Sequence, residues 1–276
     1  MKKEGKIIIV AQGGLANRMR AIASSLYYAK KTNRDLLVVW YKNKELNASF
    51  SDLFKNENVP FKIIEPNFLI YNIYYEQPRK KNFFISRIIR KLLGITTIID
   101  IHNFPEELII ENLNNVTKRV IINSGLQFAD YAPEILKEIF RFNEIVLERK
   151  NNILQGKSPD ISIQIRRTDN IESIRHSPLH SFEKTINSQI KKNCNVSCFL
   201  ATDDTQTKAY LLSKFPQNII INPREARRDT KEGMIDAAAE MLIMSECKVI
   251  YGSFWSSFSE IAAFYGSKKL VVIKDN

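Results

Sequence analysis

Cysteine is scarce in this chain: three in 276 residues, at Cys194, Cys198 and Cys247. Cys194 and Cys198 stand in a CxxxC spacing with no second pair, which argues against a zinc framework and for reduced structural thiols. Histidine is equally rare. His176 and His180 lie four apart, a metal spacing on a regular helix, but Pro178 between them interrupts that geometry. No metal is expected. Long apolar runs are also missing. After the basic start MKKEGK, the apolar run covers only Ile7 to Val10, too short for a signal-peptide core, and nothing approaches the roughly 20 residues of a membrane span. A cytoplasmic chain is therefore expected, and the sequons at Asn47, Asn115 and Asn195 are read as chance. Nine glycines and nine prolines, set against 44% hydrophobic and 10% aromatic residues, exclude a collagen-like or disordered chain. No internal repeat of fixed short period occurs.

What is present in excess is positive charge: 41 Lys and Arg against 30 Asp and Glu, a net +11. That balance points to an anionic partner, whether nucleic acid, an acidic membrane face or a phosphorylated small molecule. The length suits two domains of roughly 130 to 150 residues each.

The order of elements agrees. Lys6 to Ala11 reads as a buried strand, Gln12-Gly13-Gly14 as a turn, Ala16 to Lys31 as a helix and Asp35 to Trp40 as the next strand. This βαβ unit opens a parallel sheet, to which Phe61–Ile64 and Arg119–Asn123 could add strands. The polar segment 143–160 is the expected domain boundary, giving domains 1–155 and 156–276. Strand and helix then alternate again, with strands at Ile161–Ile165, Ser197–Ala201, Asn218–Ile221, Val249–Tyr251 and Lys269–Ile273. The expected architecture is α/β, with two facing Rossmann-like domains and mainly parallel sheets.

Four segments carry candidate chemistry. Gly13-Gly14-Leu15-Ala16-Asn17-Arg18 lies between a strand and a helix, where glycines allow close backbone approach and free N–H groups attract anions. It lacks GxGxxG, so no dinucleotide fingerprint is present. Second, Gln164-Ile165-Arg166-Arg167-Thr168-Asp169 ends a buried strand, at the edge where α/β sheets bind ligands. A guanidinium there can grip a phosphate with two hydrogen bonds and oppose leaving-group charge. Alternation sends Arg166 and Arg167 to opposite sides, one to the site and one to Asp169 or a neighbour. Third, Asp203 and Asp204 follow another strand. They can hold an arginine, and Asp204 can equally cap the following helix. Fourth, the turn through Ser253, Ser256, Ser257 and Phe258 offers hydroxyls and first-turn N–H groups as a phosphate cradle without a Walker lysine. Glu240, on the preceding helix, can accept paired hydrogen bonds from a guanine, or can be merely solvated.

Together the segments resemble the fucosyltransferase superfamily of α1,2- and α1,6-fucosyltransferases and protein O-fucosyltransferases. GGLANRMRAIASSLYYA is similar to its GG-x-x-N loop and helix, LNASFSDLF to a downstream segment of bacterial members, QIRRTD to H-x-R-R-x-D, TDD to the second motif and EMLIMSECKVIYGSFWSSFS to the third. The resemblance covers most of the chain. It implies a GT-B fold and metal-independent, inverting transfer from a GDP-sugar, usually GDP-fucose, to a glycan acceptor. Arg166 would bind the β-phosphate and stabilise its departure, and Ser256 and Ser257 would hold the phosphates. Glu240 would match the guanine-reading carboxylate and Asn17 an amide near the sugar, while Asp169 and Asp203 would support the arginines. The sequence departs from the motif at Gln164, where histidine is usual; glutamine still hydrogen-bonds but cannot titrate. For the base that deprotonates the acceptor hydroxyl, Glu172 is the candidate and Asp169 the alternative.

The densest basic run, Arg79 to Lys91, has six cations and no acid, with Phe84, Ile88 and Leu92 and then Ile85, Ile89 and Leu93 repeating every fourth residue. This is the pattern of a helix on an anionic membrane face, or of one that packs its stripe on the core with a basic rim. A nucleic-acid groove would interleave cations with exposed aromatics instead. The expectation is a glycosyltransferase acting on a surface-glycan or lipid-linked precursor, with other donors (GDP-mannose, GDP-heptose, a rhamnose nucleotide) as alternatives and a nucleic-acid-binding module as the competing class.

Overall fold

The β-branched run at Lys6–Ala11 forms β1 and the run at Asp35–Val39 forms β2, paired in parallel from Lys6 opposite Asp35 to Val10 opposite Val39. The computed structural model describes residues 5–75, 83–101 and 119–275. With β3 (Lys62–Ile64), β4 (Ile95–Ile101) and β5 (Arg119–Ser124), these strands make a parallel sheet of order β3-β2-β1-β5-β4. Apolar runs rather than alternation are what a sheet covered on both faces requires. Ile8 and Val10 join Val39, Tyr71 and Ile121 on one side, while Ile7 and Ile9 are also fully buried. The Leu15–Lys31 helix lies against β1 and β2 and buries Leu15, Met19, Ile22, Ala23 and Leu26 at helical spacing. Each such aliphatic side chain contributes about 1.5–3 kcal/mol when fully buried.

A second parallel sheet holds β6 (Ile161–Ile165), β7 (Cys198–Thr202), β8 (Ile219–Ile221), β9 (Val249–Ser253) and β10 (Lys269–Ile273), in the order β10-β9-β6-β7-β8. The chain runs outward from β6 through β7 and β8, then resumes on its other side at β9. The topological switch point of this sheet therefore lies between β6 and β9. Phe182 and Ile186 of the Leu179–Lys192 helix and Leu211 of the Thr205–Lys214 helix pack with Ile161, Ile163 and Ile165 in one core cluster. The Lys231–Glu246 helix, apolar around most of its circumference, packs against β6 and β7 and is buried from Gly233 to Ser245 with few interruptions.

By internal contacts the chain separates into residues 1–51 with 55–141, and residues 52–54 with 142–276. The separation thus falls at Arg141 and Phe142, ahead of the expected 155/156. The reason is the stretch 143–160, whose polarity marked it as the expected boundary. Its first part is a helix, Glu144–Leu154, capped by the Asn143 side chain accepting from Val146 N–H at 3.1 Å. That helix packs along Lys231–Glu246 in the second unit. Arg149 bonds Asp236 and, at 2.6 Å, Glu232, while Lys150 bonds Glu246 at 2.7 Å. The short piece 52–54 joins the same unit through the Phe54–Phe142 bridge and an Asp52–Lys231 ion pair of 2.6 Å.

Part of the basic run is helical, Phe83–Leu92, and packs on the Phe68–Tyr74 helix and β4; residues 79–82 lie outside the described residues. Strand β4 had no signal in the sequence reading. Among the described residues no helix is long and apolar enough to cross a membrane.

Candidate functional site

In the second unit, the carboxyl ends of β6, β7 and β9 carry the residues singled out by sequence. Ser253 ends β9 and receives the Arg166 backbone N–H on its hydroxyl at 3.0 Å, while that hydroxyl donates to the Gln164 carbonyl at 3.3 Å. This ties the two strands at the switch point, where open α/β sheets bind ligands. Gly252 lets the following helix approach β9 closely, because a Cβ there would collide with the Ser259 side chain.

Arg166 is mostly buried and clamped by Asp169, with Nε to Oδ1 at 2.8 Å and Nη2 to the same oxygen at 2.7 Å. Arg228, which the sequence reading did not single out, holds the other Asp169 oxygen at 2.9 Å. Burial pushes the Asp169 carboxyl up, but Arg228 and Arg166 outweigh it and hold the pKa below the usual carboxylate value. A carboxylate so held is a positioning group and a poor proton acceptor. Glu172 lies in the first turn of the Ile171–His176 helix and faces His176 at 3.2 Å.

Arg167 behaves differently from its neighbour. Its backbone N–H donates to Asp203 Oδ1 at 2.7 Å, and the Thr168 hydroxyl donates to the other Asp203 oxygen at 2.8 Å. Burial depresses the Arg167 pKa against the pull of Asp203 and Asp204, and Nη2 is buried with no hydrogen-bond partner. Asp203 therefore fixes the loop rather than pairing with a guanidinium. Asp204 is the N-cap of Thr205–Lys214, accepting from Thr207 N–H at 2.8 Å and the Thr207 hydroxyl at 2.5 Å. The cap reading is the one its geometry supports.

Ser256 stands at the N-cap of the Ser257–Gly266 helix without capping it; its hydroxyl is buried and unpartnered. Gln164 is similar: a buried side chain in a strand buried throughout, its Oε1 without a donor. A buried polar atom left unpaired costs about 1–3 kcal/mol, and three of them (Gln164 Oε1, Arg167 Nη2, Ser256 Oγ) lie at the ends of adjacent strands β6 and β9. Ser256 thus leaves its hydroxyl uncommitted at the start of the Ser257–Gly266 helix, where first-turn N–H groups lack intrahelical partners.

Glu240 sits midway along Lys231–Glu246. The residue keeps some solvent contact, but its carboxyl group is enclosed by protein, and burial pushes its pKa up to about 7 against the pull of Lys208 and a 3.0 Å hydrogen bond from Asn222 Nδ2. Asn222, just past β8, and Lys208 are both buried; Lys208 Nζ donates to the Asn222 and Arg224 carbonyls at 3.0 and 2.7 Å. Neither was found from sequence. Their signal was position alone, since Asn222 is another strand-end residue.

Gly13, Gly14 and Asn17 belong to the first unit. Gly13 has φ +78°, a left-handed conformation that favours glycine, while Gly14 is extended and an added Cβ would have room. Arg18 is a strut: fully buried, it donates to the Gly13 carbonyl at 2.9 Å, the Tyr41 carbonyl at 2.7 Å and Asn43 Oδ1 at 3.1 Å, and burial pushes its pKa down to about 10. Asn17 Oδ1 is buried without a partner. Among the described residues no three His, Cys, Asp or Glu side chains group as metal ligands; His180 pairs with Asp275 at 3.2 Å.

No family model and no curated protein matches the chain. Solved structures do. The NodZ α-1,6-fucosyltransferase from Bradyrhizobium, in a crystal soaked with GDP-fucose, matches at TM-score 0.62 and 17% identity over 95% of this chain and 93% of its own. A mutant of Arabidopsis thaliana FUT1 in complex with GDP matches at TM-score 0.64 and 15% identity, over 99% and 71%. POFUT1 in complex with GDP matches at TM-score 0.61 and 11% identity, over 99% of both chains. At these identities the likeness is one of fold: α/β, GT-B-like, with two parallel five-stranded sheets.

Proposed function

We propose that the protein is an inverting glycosyltransferase that moves fucose from GDP-fucose to a hydroxyl of a glycan. One observation carries this reading: the three unpaired buried polar atoms at the ends of β6 and β9, beside a clamped Arg166 and the open start of a helix. Such a site suits a diphosphate, and the fold is shared with structures holding GDP or GDP-fucose. Ser256, Ser257 and the Phe258 N–H hold phosphate oxygens, Arg166 opposes charge on the β-phosphate as the C1–O bond breaks, and Arg167 Nη2 and Gln164 Oε1 find ligand partners. Glu240 with Asn222 reads guanine. The acceptor oxygen bonds to C1 from the opposite face, and its proton passes to the Glu172 carboxylate. No metal is needed in this scheme, because the cations are arginines.

The test is a thermal-shift panel of GDP, UDP, GDP-fucose and GDP-mannose on the native chain and on Arg166→Ala. Stabilisation by GDP and GDP-fucose, lost in the variant, is expected. Stabilisation by UDP alone, or a GDP shift that survives Arg166→Ala, overturns the assignment.

The acceptor is a surface-glycan or lipid-linked precursor, and the protein works peripherally on an anionic membrane face. What supports this is the Phe68–Tyr74 and Phe83–Leu92 helix pair of the first unit. Phe68, Leu69 and Ile70 are exposed on or beside the first helix, and Ile88, Leu92 and Leu93 on or beside the second. Leu69 is 76% and Leu92 82% exposed, beside exposed Lys91. Arg90 is buried instead and donates to the Ile73 carbonyl at 3.3 Å, so it is structural rather than lipid-facing. Flotation with phosphatidylglycerol vesicles is expected to fail for a Leu69→Ser, Leu92→Ser double variant; equal flotation of both proteins overturns the membrane reading.

A further inference from the structure

Trp255 carries more than the diphosphate site asks of it. It is 66% exposed, while the other tryptophan, Trp40, is fully buried. Its φ is +53°, a left-handed conformation that a bulky L-residue adopts at a cost and keeps only when its surroundings enforce it. Those surroundings are explicit. Asn170 Nδ2 donates to the Trp255 carbonyl at 3.1 Å, the Ser173 hydroxyl donates to the Phe254 carbonyl at 2.5 Å, and the Phe254 N–H donates to the Ser177 hydroxyl at 2.8 Å. The indole stacks on Phe254, centroids 5.4 Å apart and planes 10° apart. Phe254 is fixed in turn by the His176 ring at 4.9 Å and the Lys274 ammonium 4.4 Å from its centroid. The fold thus holds a rigid aromatic outward, between Ser253 and Ser256 of the anion site, with Glu172 and His176 at hand. Nothing in holding a diphosphate requires that ring.

We infer that the exposed face of Trp255 is a stacking platform for a pyranose ring, with the Glu172–His176 pair as hydrogen-bonding partners for its hydroxyls. An indole offers a broad, stiff apolar face for the C–H side of a sugar, and the polar groups at its edge meet the hydroxyls. This deepens the transferase reading and rests on it. The sugar can be that of the donor or that of the acceptor, and the experiment distinguishes them.

Trp255→Asn and Trp255→Gly are the informative variants, since both residues accept a left-handed φ and keep the turn. Ligand-observed saturation-transfer NMR of the native chain and both variants reads the ring protons of methyl β-galactopyranoside, methyl β-N-acetylglucosaminide and methyl α-L-fucopyranoside, without nucleotide, and separately of GDP and GDP-fucose. Transfer to a methyl pyranoside, absent in both variants, is expected if the platform takes the acceptor. Transfer to the fucose ring of GDP-fucose, again absent in the variants, places the donor sugar there. Either result supports the inference, with melting temperature and the GDP thermal shift retained in both variants. No transfer to a sugar ring in the native chain overturns it. So does loss of the GDP shift in Trp255→Asn, which makes the ring a nucleotide-base contact. Failure of GDP to stabilise even the native chain sinks the transferase reading instead, and the methyl-pyranoside measurement, which contains no nucleotide, is still decided on its own.

Discussion

Replacing Glu240 by glutamine tests the buried carboxylate most directly. Burial moves this carboxyl from 4.5 to about 7, and each pH unit of such displacement corresponds to about 1.4 kcal/mol, giving about 3 kcal/mol in all. The sign follows from proton binding. Below the unfolded value both states are protonated and the group contributes nothing. Between the two values the unfolded chain has lost the proton while the folded chain retains it, so stability falls as pH rises. Above about 7 both are ionised and the folded state bears the full desolvation cost. Glutamine keeps the acceptor for Asn222 and bears no charge. Urea denaturation at about pH 5 and about pH 8 should therefore show the variant gaining roughly 2–3 kcal/mol on the native chain between those conditions. In the same preparations GDP stabilisation should fall about a hundredfold in affinity, because an amide N–H now faces the guanine donors. An equal stability difference at both pH values refutes the enclosed carboxylate. A retained GDP response in a properly folded variant refutes its role as guanine reader.

Ser256→Ala removes a buried hydroxyl that has no protein partner, so unfolding free energy should stay level or rise by about 1 kcal/mol while the GDP thermal shift shrinks; a loss of stability with binding intact would mean the hydroxyl is structural. Asp204→Ala should cost about 1 kcal/mol through the lost helix cap and leave the GDP shift in place, whereas loss of nucleotide binding would return Asp204 to the donor site. Arg149→Ala leaves the buried Asp236 with only Arg224, 3.9 Å away, and should destabilise the second unit by about 2–3 kcal/mol in calorimetry; a change below about 1 kcal/mol would remove the Glu144–Leu154 helix from that unit.

Most of the fold was legible because parallel strands buried on both faces are written as short apolar runs, and the runs at Lys6–Ala11, Ile161–Ile165 and Lys269–Ile273 are strands at those bounds. Strand β4 was not, because Thr96, Thr97 and Asp100 break its run and its pairing to β5 is irregular between Ile95 and Thr97. The Glu144–Leu154 helix fell in the expected boundary because the segment is polar, but its Arg149 and Lys150 are paired with acids some 90 residues away. In the site, strand-end residues Arg166, Asp203 and Ser253 declared themselves by following apolar runs. The division of labour among carboxylates did not. Asp204 could be an arginine holder or a cap, and Asp169 an arginine holder or a base; a helix start makes the first a cap and two arginines make the second a clamp. A long-range partner such as Arg228 has no local signal at all, and Asn222 has only its position just past a strand.

The departure at Gln164 gives the titration a simpler form than the motif's usual histidine would. Glutamine has no proton to exchange near neutrality, so one titrating group is removed from the neighbourhood of the nucleotide. Asp169 stays ionised, held below its usual value by Arg228 and Arg166. Under the guanine-reading assignment, Glu240 is the protein group of the guanine pocket whose charge changes near pH 7. GDP requires the ionised form, so its affinity should weaken by up to about tenfold per pH unit below about 7 and level off above it. A chain with Gln164→His would acquire a second titration in that range, and its imidazole would take the unpaired position of Gln164 Oε1. The Glu240 contribution to the profile is thus set by one buried carboxyl, with a residue at 164 that cannot titrate.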